Sequence, residues 1–161
     1  MIFESHAHYD DGAFDEDREA LLGSFAKNGI DTVINIGASL ESCRKTIALM
    51  EKYAFIYGAI GVHPSETAEL DEEKFRWLKE CCKHKKVVAV GEIGLDYHWK
   101  EPEPSIQKKW FEKQLALAGE TGLPVIIHSR DAAKDTPDIL KKAREEKHGA
   151  AVHCFSHTRE I

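Results

Sequence analysis

Six short runs rich in apolar and β-branched residues alternate with longer amphipathic stretches along the whole chain. The runs cover residues 2–5, 32–37, 55–62, 87–93, 125–128 and 150–155, and the amphipathic stretches cover 15–28, 40–53, 72–84, 106–121 and 136–147. Regular alternation of this kind is typical of repeated βα units on a parallel sheet. The pattern therefore predicts an α/β fold in which helices cover a buried sheet.

The number of units narrows the architecture. Six βα units over 161 residues extrapolate to eight over roughly 215 residues, near the ~250 residues typical of a TIM (β/α)8 barrel. We therefore expect a TIM barrel, of which this chain supplies about six βα units. Because the chain ends just after the sixth run, we expect residues 1–161 to form a single domain that is truncated at its C-terminus. The alternative is an open doubly wound sheet complete at six strands, although no glycine-rich phosphate loop follows the first run.

Several residues are typical of helix ends. Ser39 and Ser105 are predicted N-caps, since a serine hydroxyl can accept a bond from a free backbone N–H of the first turn. Gly29 and Gly122 are predicted to end the helices before them, because glycine readily adopts the left-handed conformation at that position.

Composition excludes some classes of protein. The net charge of −6 argues against a nucleic-acid binder with a broad basic surface, but a metal-assisted nuclease remains compatible because bound cations can neutralise phosphate. The four cysteines (Cys43, Cys81, Cys82 and Cys154) form no C-x-x-C pair and are interpreted as reduced thiols. The sequence contains neither a signal peptide nor an apolar run long enough for a membrane span. We therefore expect a cytoplasmic protein without membrane contact.

Metal-capable side chains follow several of the predicted strands. His6 and His8 lie two residues apart after the first run, so both imidazoles project to one side. Glu92, His128 and His153 lie at the ends of the fourth, fifth and sixth runs. In a barrel these ends meet at one face, and the set therefore predicts a divalent metal site there. Taken singly, each histidine could instead be a partly buried residue whose ring nitrogens are hydrogen-bonded within the protein, and Glu92 could be one half of an ion pair.

Five motifs together resemble the TatD family of metal-dependent deoxyribonucleases, within the metal-dependent hydrolase superfamily. They are SHAHYD at 5–10, GVHP at 61–64, GEIGLDY at 91–97, LPVIIHSRDA at 123–132 and VHCFSH at 152–157. The resemblance implies that His6 and His8 bind one metal ion, that His128 and His153 bind a second, and that Glu92 bridges the two as the catalytic carboxylate. The family also has an aspartate ligand after a later strand, beyond Ile161. Glu4, Ala7 and His157 depart from the usual pattern without removing a ligand.

The resemblance further implies hydrolysis of DNA phosphodiester bonds, including 3′-exonuclease action, by water activated on two divalent cations (Mg, Mn or Zn). The expected partner is single-stranded DNA, and no obligatory protein partner is expected. Two alternatives stay open. One is hydrolysis of an amide or ester bond, such as aminoacyl-tRNA deacylation, and the other is an inactive truncated barrel.

Further residues at the same face are candidates for substrate contacts. His63 and Arg130 follow the third and fifth runs, where a hydrogen-bond donor or a cation can hold a phosphate oxygen. Alternatively, His63 is a turn residue before Pro64, and Arg130 pairs with Asp96 or Asp131. Asp10 and Asp96 are candidate acceptors that orient the metal-binding imidazoles, or alternatively they cap the loops in which they stand. The aromatic segment 97–99 either stacks on a base of single-stranded nucleic acid or covers the barrel rim.

Overall fold

The computed structural model describes residues 1–143 and, as a strand, residues 150–153. The strands are β1 (Ile2–Ala7), β2 (Ile30–Ile36), β3 (Ile56–Ile60), β4 (Val87–Asp96), β5 (Val125–Arg130) and β6 (Ala150–His153). The α-helices are α1 (Arg18–Gly23), α2 (Leu40–Lys52), α3 (Glu72–Cys81), α4 (Pro104–Thr121) and α5 (Asp135–Ala143). Short 3₁₀ helices cover Gly12–Phe14, Ala26–Asn28 and Pro64–Glu69.

The six strands form one parallel sheet in which each strand pairs with the next along the chain, in the order β1-β2-β3-β4-β5-β6. An open doubly wound sheet contains a point at which the strand order reverses. No reversal occurs among the six described strands, so the doubly wound alternative is wrong. Consecutive parallel pairing is the arrangement of a (β/α)8 barrel, and the prediction of about six βα units of a TIM barrel is confirmed.

Helix ends agree with the sequence at three of four positions. Ser39 caps α2 by accepting a bond from the N–H of Ser42, and Gly29 and Gly122 adopt the left-handed conformation with φ of 75° and 71°. The prediction for Ser105 is wrong, because α4 begins one residue earlier at Pro104. Proline is favoured at the first helical position, where its missing N–H costs no hydrogen bond.

Most elements differ from their predicted bounds by up to three residues at either end, and two differences bear on the position of the site. The helix predicted over 15–28 is replaced by the short helix α1 and the flanking 3₁₀ turns. The guanidinium of Arg18 donates to the carbonyls of Tyr9 and Asp11, so the N-terminal end of α1 is tied to the loop after β1. β4 extends beyond its predicted end to Asp96. The C-terminal parts of the last predicted helix (144–147) and of the last predicted strand (154–155) lie outside the described residues.

Apolar side chains bury both faces of the sheet. The larger cluster packs the sheet against its helices, while a smaller one unites a residue from each of four consecutive strands: Ile36, Ala59, Ala89 and Ile126. Burial on both faces explains why the strands read as continuous apolar runs. Several buried polar side chains (Asn35, Glu92, Asp96 and His128) instead lie in the C-terminal halves of β2, β4 and β5, so the candidate site occupies that edge of the sheet.

The three described cysteines, Cys43, Cys81 and Cys82, are free thiols, as predicted, and Cys154 lies outside the described residues. Burial raises the pKa of Cys81 to about 11 and that of Cys82 to about 12, so both thiols stay protonated and unreactive at neutral pH. Within the described part of the chain, no helix is both long enough and apolar enough to cross a membrane.

Candidate functional site

Histidines from different strands surround one buried glutamate at the C-terminal edge of the sheet. Glu92 of β4 is 4% exposed. Its Oε2 lies 3.8 Å from Nε2 of His6 on β1, and its Oε1 lies 3.3 Å from Nδ1 of His128 on β5. The two carboxylate oxygens therefore face imidazoles on different strands.

The side chains form two groups of possible metal ligands that share Glu92. One group is His6, His8 and Glu92, and the other is His63, Glu92 and His128; within each group the ligand atoms lie within 4.8 Å of one another. Ligand atoms ~2.1 Å from a common ion are roughly 3.0–3.4 Å apart. The distance of 3.3 Å from Glu92 to His128 lies in this range, and the distance of 3.8 Å from Glu92 to His6 is somewhat longer. Imidazole and carboxylate donors in this arrangement fit divalent cations on either side of Glu92.

His8 is oriented as metal-binding histidines generally are. Its Nδ1 lies 3.0 Å from the carbonyl oxygen of Ile36, and because a carbonyl only accepts, Nδ1 carries the proton. The neutral ring consequently has its lone pair on Nε2, which is the atom left to bind a metal ion.

His128 lies between two carboxylates. In addition to the contact with Glu92, its Nε2 lies 3.0 Å from Oδ2 of Asp96. Burial opposes protonation of His128, but Glu92 and Asp96 outweigh burial and raise its pKa. The structure thus stabilises positive charge at this point, as expected of a cation site. Asp96 contacts an imidazole, in agreement with the role suggested by its position in the sequence.

His63 differs from the other imidazoles in its hydrogen bonding. Its Nδ1 accepts a bond from the backbone N–H of Ser65, so the proton of the neutral ring is on Nε2. Burial, with a further contribution from His128, lowers the pKa of His63 to about 4. The two rings are 4.3 Å apart between centroids. At neutral pH, His63 is therefore an uncharged N–H donor at the edge of the ligand group.

A buried polar network fixes the loop that follows β1. Asn35, which is fully buried, accepts a bond of 2.7 Å from the N–H of Tyr9, next to His8, and donates to Asp10 and Thr46. Asp10 also accepts a bond from the hydroxyl of Ser42. Asp10 therefore acts through Asn35 and the backbone. Its carboxylate accepts from Asn35 and Ser42, which differs from the direct imidazole contact suggested by the sequence.

The remaining predicted residues are placed by their strands. In β6, His153 lies opposite His128 of β5 in the sheet register. Arg130 is half-buried at the end of β5. In the described part of the chain, no ion pair joins Arg130 to Asp96 or Asp131; Asp131 lies 3.4 Å from His98 instead. His157 lies outside the described residues.

Sequence reasoning missed three buried amides near the site: Asn35, Gln107 and Gln114. Asn35 stands within an apolar strand pattern, and the two glutamines stand seven residues apart among the apolar residues of α4. A polar side chain at a position that the periodicity marks as buried was the available signal, because such groups must be hydrogen-bonded in the interior.

Comparison with known proteins gives consistent similarities. Residues 3–161 match the model of the family described as TatD related DNase. The uncharacterized metal-dependent hydrolase YabD of Bacillus subtilis is 40% identical over 100% of this chain and 63% of its own length. The 3′-5′ ssDNA/RNA exonuclease TatD of Cronobacter turicensis is 31% identical over 99% of this chain and 60% of its own length.

A solved structure shares the fold. The crystal structure of YjjV, a TatD homologue from Escherichia coli, superimposes with a TM-score of 0.87 at 33% identity, over 98% of this chain and 61% of that protein. The chain thus spans 60 to 63% of the length of these relatives.

Proposed function

The chain belongs to the TatD related DNase family, and from this premise we propose that it is part of a divalent-metal-dependent hydrolase that cleaves phosphodiester bonds of single-stranded DNA. The observation that carries the proposal is the pair of ligand groups that share the buried Glu92. We further propose that residues 1–161 belong to a single domain. Two relatives support the proposed hydrolase activity: YabD is named a metal-dependent hydrolase, and TatD of Cronobacter turicensis is named an ssDNA/RNA exonuclease.

Each ligand has a proposed place in the site. His6, His8 and Glu92 would hold one cation, and Glu92, His128 and His153 would hold a second, with Glu92 shared between them. Bound divalent cations supply a water of lowered pKa and stabilise the attacking and leaving oxygens of phosphodiester hydrolysis. Asp96 keeps the ring of His128 in position, as the hydrogen bond of 3.0 Å supports.

Substrate contacts are proposed for His63 and Arg130. His63 presents an N–H donor, because its Nδ1 accepts from Ser65, and this favours binding of a non-bridging phosphate oxygen over binding of a metal. Arg130 adds a permanent positive charge at the end of β5, next to Asp96 in the sheet register. Together they would hold the scissile phosphate against the cations.

The function is tested by incubating the purified chain with 5′-labelled single-stranded DNA, duplex DNA and single-stranded RNA, with Mn²⁺ or Mg²⁺. We expect progressive shortening of single-stranded DNA from its 3′ end, abolished by EDTA and restored by excess metal. Preference for RNA would change the substrate assignment. Turnover of aminoacyl-tRNA or of a small ester, with DNA left intact, would contradict the phosphodiester proposal.

An exposed tryptophan supports the choice of a single strand. Trp99 is 60% exposed and stands three residues after Asp96, so its Cα lies within ~11 Å of that of Asp96. The loop that carries Trp99 is fixed to the site, because the N–H of His98 donates to Oδ1 of Asp96. An unpaired base can stack on such a ring, whereas a base inside a duplex cannot.

We expect Trp99→Ala to raise the KM for an oligothymidylate about tenfold or more, since stacking contributes ~1–3 kcal/mol per base, and to leave kcat at saturation nearly unchanged. Phe3→Ala is the matched control, because Phe3 is also 60% exposed but lies near the N-terminal end of β1. Steady-state kinetics with Mn²⁺ give both constants. Equal KM values for the two variants would exclude stacking on Trp99.

A further inference from the structure

Two glutamines of α4 lie in the protein interior. Gln107 and Gln114 are each 1% exposed, and residues seven apart on an α-helix project from nearly the same side. Burial of an amide is costly unless its donors and acceptor are hydrogen-bonded. The hydrogen-bond partners of the two amides therefore indicate their structural role.

Gln114 pairs with the backbone just after β3, which ends at Ile60. Its Oε1 accepts a bond of 2.8 Å from the N–H of Val62, and its Nε2 donates one of 3.1 Å to the carbonyl of Val62. Val62 directly precedes His63. This two-point contact fixes the peptide from which His63 enters the site.

Gln107 makes the equivalent contact at the end of β4. Its Oε1 accepts a bond of 2.9 Å from the N–H of Asp96, and its Nε2 donates to the carbonyls of Asp96 and Pro102 at 2.9 and 2.7 Å. The carboxylate of Asp96 in turn lies 3.0 Å from His128. Gln107 is thus two contacts away from a proposed metal ligand.

We propose that Gln107 and Gln114 are positioning residues through which α4 sets the places of Asp96, and thereby of His128, and of His63. This inference rests on the proposed function. Each amide occupies both hydrogen-bonding groups of one strand-end residue, as a neighbouring strand would, so the strand end can neither rotate nor slide without loss of two bonds. Because both amides project from one rigid helix, the spacing between the two strand ends is also fixed.

The two amides have separable effects. Gln107 acts on the metal site, because it holds the partner of His128, and loss of outer contacts of this kind lowers metal affinity ~10–100-fold. Gln114 acts on substrate binding, because His63 is the proposed phosphate donor. A role limited to folding would affect neither quantity selectively.

The experiment compares Gln107→Met and Gln114→Met, which conserve shape and remove both bonds, with Gln107→Glu and Gln114→Glu, whose buried carboxyl when protonated keeps the acceptor and one donor. Phe111→Leu is the control, since Phe111 is a fully buried apolar residue of the same helix. Mn²⁺ affinity is measured by calorimetry, and KM and kcat are measured with an oligothymidylate. In the metal-free chain, amide exchange at Val62 and Asp96 and the ring shifts of His63 and His128 are measured by NMR.

We expect Gln107→Met to weaken Mn²⁺ binding at least tenfold and to shift the ring signals of His128. Gln114→Met should raise KM at least threefold with Mn²⁺ affinity retained, and should shift the signals of His63. The glutamate variants should show smaller changes of the same kind, while Phe111→Leu should lower only Tm.

The proposal would be overturned if all five variants had a lower Tm but kept the Mn²⁺ affinity, the KM and the histidine ring shifts of the wild type. A wild-type chain that neither binds Mn²⁺ nor cleaves DNA would instead overturn the proposed function. In that case the selective shifts and exchange rates in the metal-free chain still decide whether the glutamines position the two histidines.

Discussion

Replacement of Glu92 by glutamine is expected to abolish stabilisation of the protein by divalent metal without weakening the metal-free fold. Glu92 is the one residue common to both ligand groups, and an amide oxygen is a much poorer ligand than a carboxylate for a transition metal ion. Since loss of a contact outside the ligand set costs ~10–100-fold in metal affinity, loss of the shared ligand should cost at least the upper end of this range. Nuclease activity should fall with it.

In the absence of metal, the same substitution should not lower the free energy of unfolding. Glu92 is 4% exposed, and in the absence of metal the imidazole of His128, 3.3 Å away, offsets the cost of burying its carboxylate only in part. The neutral amide should therefore leave the free energy of unfolding unchanged or slightly higher. Functional sites commonly show this exchange of stability for activity.

Thermal unfolding with and without Mn²⁺ measures both effects. At a metal concentration of 100 Kd the wild type gains ~2.7 kcal/mol from binding, whereas Glu92→Gln should gain almost nothing. Glu112→Gln makes the same chemical change at an exposed position of α4 and should behave as the wild type. If Glu92→Gln retained the Mn²⁺ stabilisation, Glu92 would not be the shared ligand.

The second large effect is expected from Gly94→Ala in β4. A Cβ at this position would lie 2.0 Å from the carbonyl oxygen of His128 on β5, and Gly94 has a φ of +142° that side chains rarely adopt. Backbone strain contributes ~1–3 kcal/mol and overpacking another ~1–3 kcal/mol. We therefore expect the free energy of unfolding to fall by about 2–6 kcal/mol.

The same substitution should disturb the site, because Gly94 and His128 are partners in the sheet register. Separation of β4 from β5 moves His128 away from Glu92, so Mn²⁺ affinity should fall as well. Urea unfolding followed by circular dichroism gives the stability, and calorimetry gives the affinity of the folded fraction.

Gly23→Ala provides the control for Gly94→Ala. A Cβ at Gly23 meets nothing within 4 Å, and the residue lies in α1. Alanine in a helix is favoured over glycine by ~0.5–1 kcal/mol, so this variant should be unchanged or slightly more stable. Similar losses in both variants would show that glycine content, and not the close approach of β4 to β5, limits stability.

The sequence by itself determined the architecture and indicated most of the proposed ligand set. Apolar runs that alternate with amphipathic stretches predict parallel βα units, because strands buried on both faces have no polar side. In such a sheet the strand ends meet at one edge. Residues as distant as His6, Glu92 and His128 could therefore be assigned to one place without knowledge of any distance.

Tertiary structure alone decided which nitrogen of each imidazole faces the site, and what holds it there. The N–H that His63 presents follows from the N–H of Ser65, and the lone pair that His8 presents on Nε2 follows from the carbonyl of Ile36. The pairing of Gln107 and Gln114 with backbone groups at or just after strand ends follows from the placement of α4. The spacing of apolar residues in the sequence indicates only whether a position is buried. A hydrogen bond has a direction and a length of about 3 Å, and these depend on how distant elements pack against one another.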